Sequence, residues 1–193
     1  LMKLLSLIFL LFLVYSTSAQ SQCAAGIPAK EVKSILDVHN SLRQTIAAGK
    51  FVAKDKLMPP AKTSIPDLTW DCGIEQSAQK HASKCQFEHS TGLNNLGENL
   101  YMMWSSVKVT IDGQGKAASD SWANEFQEHG WSDIKFTMDV FNSGVGHATQ
   151  MAWQKTTQIG CGMALCNGEK SVLVTCQYRD AGNYINQYVY IPK

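Results

Sequence analysis

The sequence has no CxxC pair, no Asn-x-Ser/Thr sequon and no run of lysines and arginines. Each absence removes a class of function. Without close cysteine pairs a cysteine-based zinc cluster has no anchor, and without a sequon N-glycosylation is not expected. Seventeen basic residues against sixteen acidic ones leave a formal charge of +1, and their scatter gives neither nucleic acid nor an anionic membrane an electrostatic footprint. No G-x-S-x-G elbow, HExxH pair or acidic EF-hand loop is present, which weakens a hydrolase or metalloprotease reading. Long apolar runs are scarce too. The one that exists, Leu4 to Val14, is eleven residues, well short of the roughly 20 that span a bilayer as a helix. With Lys3 before it and the small residues Thr17 and Ala19 after it, residues 1–19 read as a secretory signal peptide, leaving 20–193 as a single domain.

What is present points to an oxidising compartment. Cys23, Cys72, Cys85, Cys161, Cys166 and Cys176 are an even set behind a leader, so three disulfides are expected, with 15 pairings open. Val32, Ile35, Leu36, His39, Leu42 and Ile46 line one face of a helix that stops at Gly49. Three prolines make Lys50 to Pro66 an irregular connection, and a second helix from about Trp70 to Cys85 shows small residues, Ala78 and Ala82, on its packing face. The segment from Lys84 to Asn99 reads as loop, VKVTID at 107–112 alternates like a strand, and AASDSWANEFQEHG reads as a helix ended by Gly130. The aromatic-rich stretch 131–144 follows no clean period, and a further helix begins near Val145. MALC, Asn167-Gly168 and SVLVTCQY read as a hairpin, and YINQYVYI alternates as a third strand. Helices first and a hairpin-rich end predict an α+β layered domain with an antiparallel sheet.

GQGKAA at 113–118 matches the G-x-G-x-x-A dinucleotide turn, but no parallel strand ending in an acidic residue follows it. It is read as a plain turn, and no nucleotide cofactor is expected. His39 and His81 fall within amphipathic helices, where a histidine with a local hydrogen bond is the ordinary case, and His129 stands where a helix C-terminus favours a cation. His89 in EHS and His147 in GVGHAT sit at segment edges. With Glu98 and Glu125 they are the ligand types that a divalent cation such as zinc accepts, although spacing alone does not bring them together.

GHATQMAWQKT, with Gly146, His147, Thr149, Gln150, Trp153 and Thr156, and LVTCQYRDAGNY, with Cys176, Tyr178, Gly182 and Asn183, resemble the two signatures of the CAP superfamily. That superfamily comprises cysteine-rich secretory proteins, venom allergens and pathogenesis-related class 1 proteins. HNSLR, CQFEHS and GENLY fit in the expected order, so the resemblance covers nearly all of residues 20–193. In detail the chain looks most like the nematode venom-allergen-like, or activation-associated, secreted proteins. The resemblance implies a three-layer α-β-α sandwich stabilised by disulfides. It implies a cleft tetrad of His89, Glu98, Glu125 and His147, with the two histidines as metal ligands. The pairings it implies are Cys161 with Cys176 and Cys85 with Cys166, which leaves Cys23 with Cys72. Two positions depart from the pattern: Ala148 replaces an aromatic, which is expected to widen the cleft beside His147, and Asp180 stands where proline is common.

The function expected on these grounds is that of a secreted, extracellular, non-enzymatic protein, a parasite effector that modulates host defence. Its partner would be a host protein, such as a receptor or protease, or a sterol or fatty acid held by the loop aromatics Trp131, Phe136 and Phe141. A divalent cation, zinc, is the one cofactor considered. The alternative is a metal-dependent or serine-type hydrolase using the His/Glu cleft, with Ser90 as nucleophile.

Overall fold

A computed structural model describes residues 23–193; the leader expected at 1–19 lies outside the described residues. Along the chain run α1 (Ala29–Ala47), β1 (Val52–Ala53), β2 (Lys56–Leu57), β3 (Thr69–Trp70), α2 (Cys72–Ala82), β4 (Gly97–Trp104), α3 (Gln114–Glu128), α4 (Met138–Asn142), α5 (Gly146–Ala152), β5 (Gln158–Cys166) and β6 (Ser171–Arg179). β1 and β2 form a small ribbon of their own, and the main sheet has the order β3-β5-β6-β4. β6 pairs antiparallel with both neighbours, whereas the two-residue β3 pairs parallel to β5, so the sheet is antiparallel except at one edge.

Helices cover both faces of this sheet, which makes the α-β-α sandwich. α2 packs on β5 and β6, while α1, α3 and α5 pack on one another and reach β6 and β4 from the other side. Glycine makes the α2 contact possible: a Cβ on Gly160 would fall 2.2 Å from Glu75 N, and one on Gly162 would fall 2.3 Å from Gln79 Cα. With no side chain in the way, α2 lies directly on the backbone of β5. The other side holds the larger core, in which Trp122, Phe126, Trp131, Phe136 and Trp153 are all buried.

The three disulfides tie these layers at separate points. Cys161 and Cys176 are directly paired residues of β5 and β6, Cys85 after α2 joins Cys166 at the end of β5, and Cys23 joins the first turn of α2 at Cys72. These are the pairs that the resemblance implies.

Two expected strands are absent. Residues 107–112 form turns beside the hairpin, with Val109 N donating to Glu169 O, and residues 184–191 contribute only an isolated bridge from Tyr188 to Lys135. Conversely, β4 begins at Gly97, inside the stretch read as loop, and α4 lies inside the aromatic-rich segment. The hairpin turn is four residues long, Asn167 to Lys170, with Asn167, Gly168 and Glu169 all at positive φ. The glycine turn at 113–115 does hold an acid, although not a phosphate. The amides of Gly113 and Gly115 donate to the buried Glu31 carboxylate at 2.7 and 2.9 Å, fastening α3 to α1.

Candidate functional site

His89, Glu98, Glu125 and His147 all line one cleft of about 290 Å³, together with Asn99, Phe141 and Asn183. The four arrive from four places: the loop after α2, the start of β4, the last turn of α3 and the first turn of α5. Each histidine is paired with one glutamate through Nδ1. His89 Nδ1 meets Glu98 Oε1 at 3.0 Å, and His147 Nδ1 meets Glu125 Oε1. Among the described residues no protein group bonds Nε2 of either ring. A carboxylate on Nδ1 fixes the tautomer and leaves Nε2 as the free lone pair, the arrangement commonly found behind metal-ligating histidines.

The two pairs are built differently. The Glu98 side chain is only 2% exposed, while that of His89 is 65% exposed. Its carboxylate also accepts from Ser90 N at 2.8 Å, Ser90 Oγ at 2.6 Å and Gln177 Nε2 at 2.8 Å. Burial works against the charge of Glu98, but the hydrogen bonds from His89, Gln177 and Ser90 outweigh it and hold its pKa at about 2. The same bond to Glu98 raises the His89 pKa above its ordinary value, against the opposing effect of burial. At His147 it is the ring that is clamped. It stacks on Trp122 with centroids 6.0 Å apart and planes 18° apart, and Glu125 also accepts from Ala148 N at 3.0 Å in the first turn of α5. Ala148 is buried and does not line the cleft; its contribution is that amide, so the expected widening is not what it does.

Behind the cleft lies a buried polar chain that sequence reasoning missed. His39 Nδ1 donates to Ile35 O at 2.8 Å and its Nε2 accepts from Tyr178 OH at 2.9 Å. Asn99 Nδ2 donates to that same tyrosine oxygen and to His147 O, both at 3.1 Å. Burial holds the His39 pKa down at about 4, so the ring is neutral. Beside it Arg43, fully buried, donates to the carbonyls of Pro66, Met151, Trp153 and Thr156 at 2.7 to 2.9 Å. One guanidinium thus pins the C-terminal end of α5 and so the position of His147. Gln177, buried on β6 next to Tyr178, is not part of this polar chain and donates to Glu98 instead.

The remaining expected residues divide. Trp131 and Phe136 are 2% and 1% exposed, Trp131 stacked on Phe126 and Phe136 edge-on to Trp153. Only Phe141, 53% exposed, reaches the cleft. Ser90 Oγ donates to Glu98, not to an imidazole, and a carboxylate held at about 2 is a poor acceptor for a nucleophile's proton. For a cation the protein supplies two imidazole nitrogens. Among the described residues no group of three or more His, Cys, Asp or Glu could hold a metal ion. Such a donor set fits a cation whose other positions come from water or a ligand, and does not fit a closed structural zinc site.

Comparison with known proteins gives this geometry its context. A family model described as the cysteine-rich secretory protein family, CAP, matches residues 36–178. Ancylostoma secreted protein from Ancylostoma caninum is 33% identical over 185 residues, which is 92% of this chain but only 42% of that protein's length. Among solved structures, BmVAL-1 superposes with a TM-score of 0.83 at 33% identity, over 89% of this chain and 87% of that one. A crystal structure of NaASP2 with Zn2+ gives a TM-score of 0.82 at 32% identity, over 89% of this chain and 90% of that one.

Proposed function

The chain belongs to the cysteine-rich secretory protein (CAP) family, and on that premise we propose that it is a secreted, non-enzymatic binding protein whose open cleft recognises its target. The observation that carries this reading is the commitment of both carboxylates. Each is spent on orienting an imidazole through Nδ1, so the cleft presents two Nε2 lone pairs and no activated nucleophile. Those lone pairs suit a divalent cation, and a relative of known structure was crystallised with Zn2+. Secretion is supported by the leader-like residues 1–19, by three disulfides and by a relative named as a secreted protein. Among the described residues no helix is long and apolar enough to cross a membrane.

In this reading the target is a host protein, such as a receptor or protease, or a sterol or fatty acid, and the protein acts as a parasite effector on host defence. The lipid version rests on Phe141, because Trp131 and Phe136 are occupied in the core. Sterol retention by the purified chain and by Phe141→Ala tests it, with retention expected to fall in the variant; equal retention removes the lipid from the proposal. For the cleft, the same protein and a His89→Ala/His147→Ala variant are compared for capture of a partner from host secretions. Peptide or ester hydrolysis that disappears in that variant, with the fold intact, would favour the hydrolase alternative instead.

A further inference from the structure

β4 meets the sheet only through β6, so its other edge carries no strand. Which backbone groups stand on that edge follows from the ladder. Cys161 and Cys176 are opposed with Cα atoms 4.1 Å apart, the close kind of antiparallel pair that exchanges no hydrogen bonds. Cys176 therefore turns its amide and carbonyl to its β4 partner, Asn99. The odd-numbered residues of β4 bond inward, as Ser105 N does to Lys170 O just past the strand, and Glu98, Leu100, Met102 and Trp104 point their amides and carbonyls outward. Trp122 agrees with this phase, since its Nε1 donates to Leu100 O at 3.1 Å.

That buried tryptophan closes the edge at Leu100. Beyond it, among the described residues, nothing bonds the outward groups of Met102 or Trp104. Edge strands are ordinarily blunted by shortness, charge, proline or a bulge. β3, at the opposite edge, is only two residues long. The open end of β4 reads Tyr101-Met102-Met103-Trp104, with no charge and no proline, and its pairing with β6 runs without a bulge. Trp104 is 64% exposed and stands edge-on to Phe87, itself 54% exposed, with centroids 6.0 Å apart.

We infer that this edge joins a second copy of the chain, β4 against β4 and antiparallel, about a two-fold axis at Met103. The second copy is chosen because the open edge is complementary to itself. Paired in this way, Met102 of each copy faces Trp104 of the other, and each such pair exchanges two backbone bonds through groups that already point outward. The Met102 thioether then lies beside an exposed indole, a favourable sulfur–aromatic contact, and no charged residue of the open end is brought to the axis. Glu98 and Met103 are five residues apart, so the two Glu98 positions, and with them the two clefts, stand roughly 34 Å apart along the strands at about 3.4 Å per residue. On the reading of the cleft as a binding site the assembly is bivalent; the pairing itself does not depend on that reading.

The test is sedimentation velocity of the secreted chain between about 1 μM and about 1 mM, with amide hydrogen exchange followed at both ends of that range. A concentration-dependent dimer is expected. In it the amides of Met102 and Trp104 exchange more than about tenfold more slowly than at low concentration, while those of Tyr101 and Met103, already bonded to β6, hardly change. Trp104→Pro removes an outward amide and leaves the inward ladder intact. It should weaken the dimer by more than about tenfold, whereas Leu57→Lys, at a comparably exposed apolar residue of the β1-β2 ribbon, should leave it unchanged. The exchange pattern of the wild type decides the matter even where the proline variant fails to fold. The proposal is overturned by a chain that stays monomeric at about 1 mM, by a dimer whose Met102 and Trp104 amides are not slowed, or by a dimer that a folded Trp104→Pro leaves unchanged or that Leu57→Lys weakens equally.

Discussion

His39 and the two cleft histidines carry the same ring to opposite ends. Both nitrogens of His39 are filled, one by a carbonyl of its own helix and one by Tyr178, and the ring is fully buried. His89 and His147 each have one nitrogen filled and one free. Aromatic neighbours do not tell them apart, since Trp122 touches both His39 and His147. The difference lies in how far each ring's hydrogen-bonding capacity is spent. A saturated histidine is part of the scaffold, and a half-satisfied one facing a cleft is available for a ligand.

The largest expected effect falls on the saturated side. Arg43→Met would leave the carbonyls of Pro66, Met151 and Thr156 without a donor, while Trp153 O keeps Thr156 N, and unsatisfied buried groups cost about 1–3 kcal/mol each. A loss of roughly 4 kcal/mol or more is expected in the urea midpoint at pH 7; a loss below about 1 kcal/mol would mean the guanidinium is not the pin described here.

His39 gives the next effect, and its sign follows from its depressed pKa. Because the folded ring titrates at about 4 and the unfolded one near 6.5, the unfolded chain binds more protons between those values, and stability is lost as pH falls through that window. The full loss is roughly 3 kcal/mol, of which about 2 is expected by pH 4.5. Urea unfolding of wild type and His39→Gln at pH 7 and 4.5 isolates it, since the variant retains every other titrating group; equal losses would sink the comparison.

On the half-satisfied side, stability should hardly respond and ligation should. His89→Ala or His147→Ala is expected to move the midpoint by less than about 1 kcal/mol, while Zn2+ affinity, measured by chelator competition, falls by more than about tenfold. Affinity in the wild type should rise with pH through the raised pKa of His89, because a metal takes the neutral ring. Unchanged affinity in both variants would remove the cation from the cleft.

The helices and the hairpin were legible because their periods are long and their stops are marked, as at Gly49 and Gly130. The two expected strands failed for a shared reason. VKVTID and YINQYVYI alternate, but alternation records only which side chains turn inward; a strand also needs a continuous ladder, and these segments make only scattered backbone bonds, such as Val109 N to Glu169 O and Val189 N to Ile134 O. Gly97, Glu98 and Asn99 are individually poor strand formers and read as loop, yet they pair with β6. At the site, motif resemblance named the tetrad, while the groups that make each pair different were not marked: Ser90 and Gln177 stand inside CQFEHS and LVTCQYRDAGNY but nothing there tells of their bonds to Glu98, and Trp122 lies outside the motifs. Arg43 was illegible for a deeper reason: its partners are backbone carbonyls, which every residue possesses.

The loop between α2 and β4 is fixed at its start by the Cys85–Cys166 disulfide and at its end by the pairing of Gly97 with Tyr178. Residues 86–96, with His89 among them, therefore form a cassette clipped between two anchors and tied to the frame at Glu88, Ser90 and Asn95, while His147 belongs to the frame. One jaw of the cleft can be redrawn within that cassette, and a graft of the same segment that keeps Ser90 and Asn95 should carry a relative's preference across with the frame untouched.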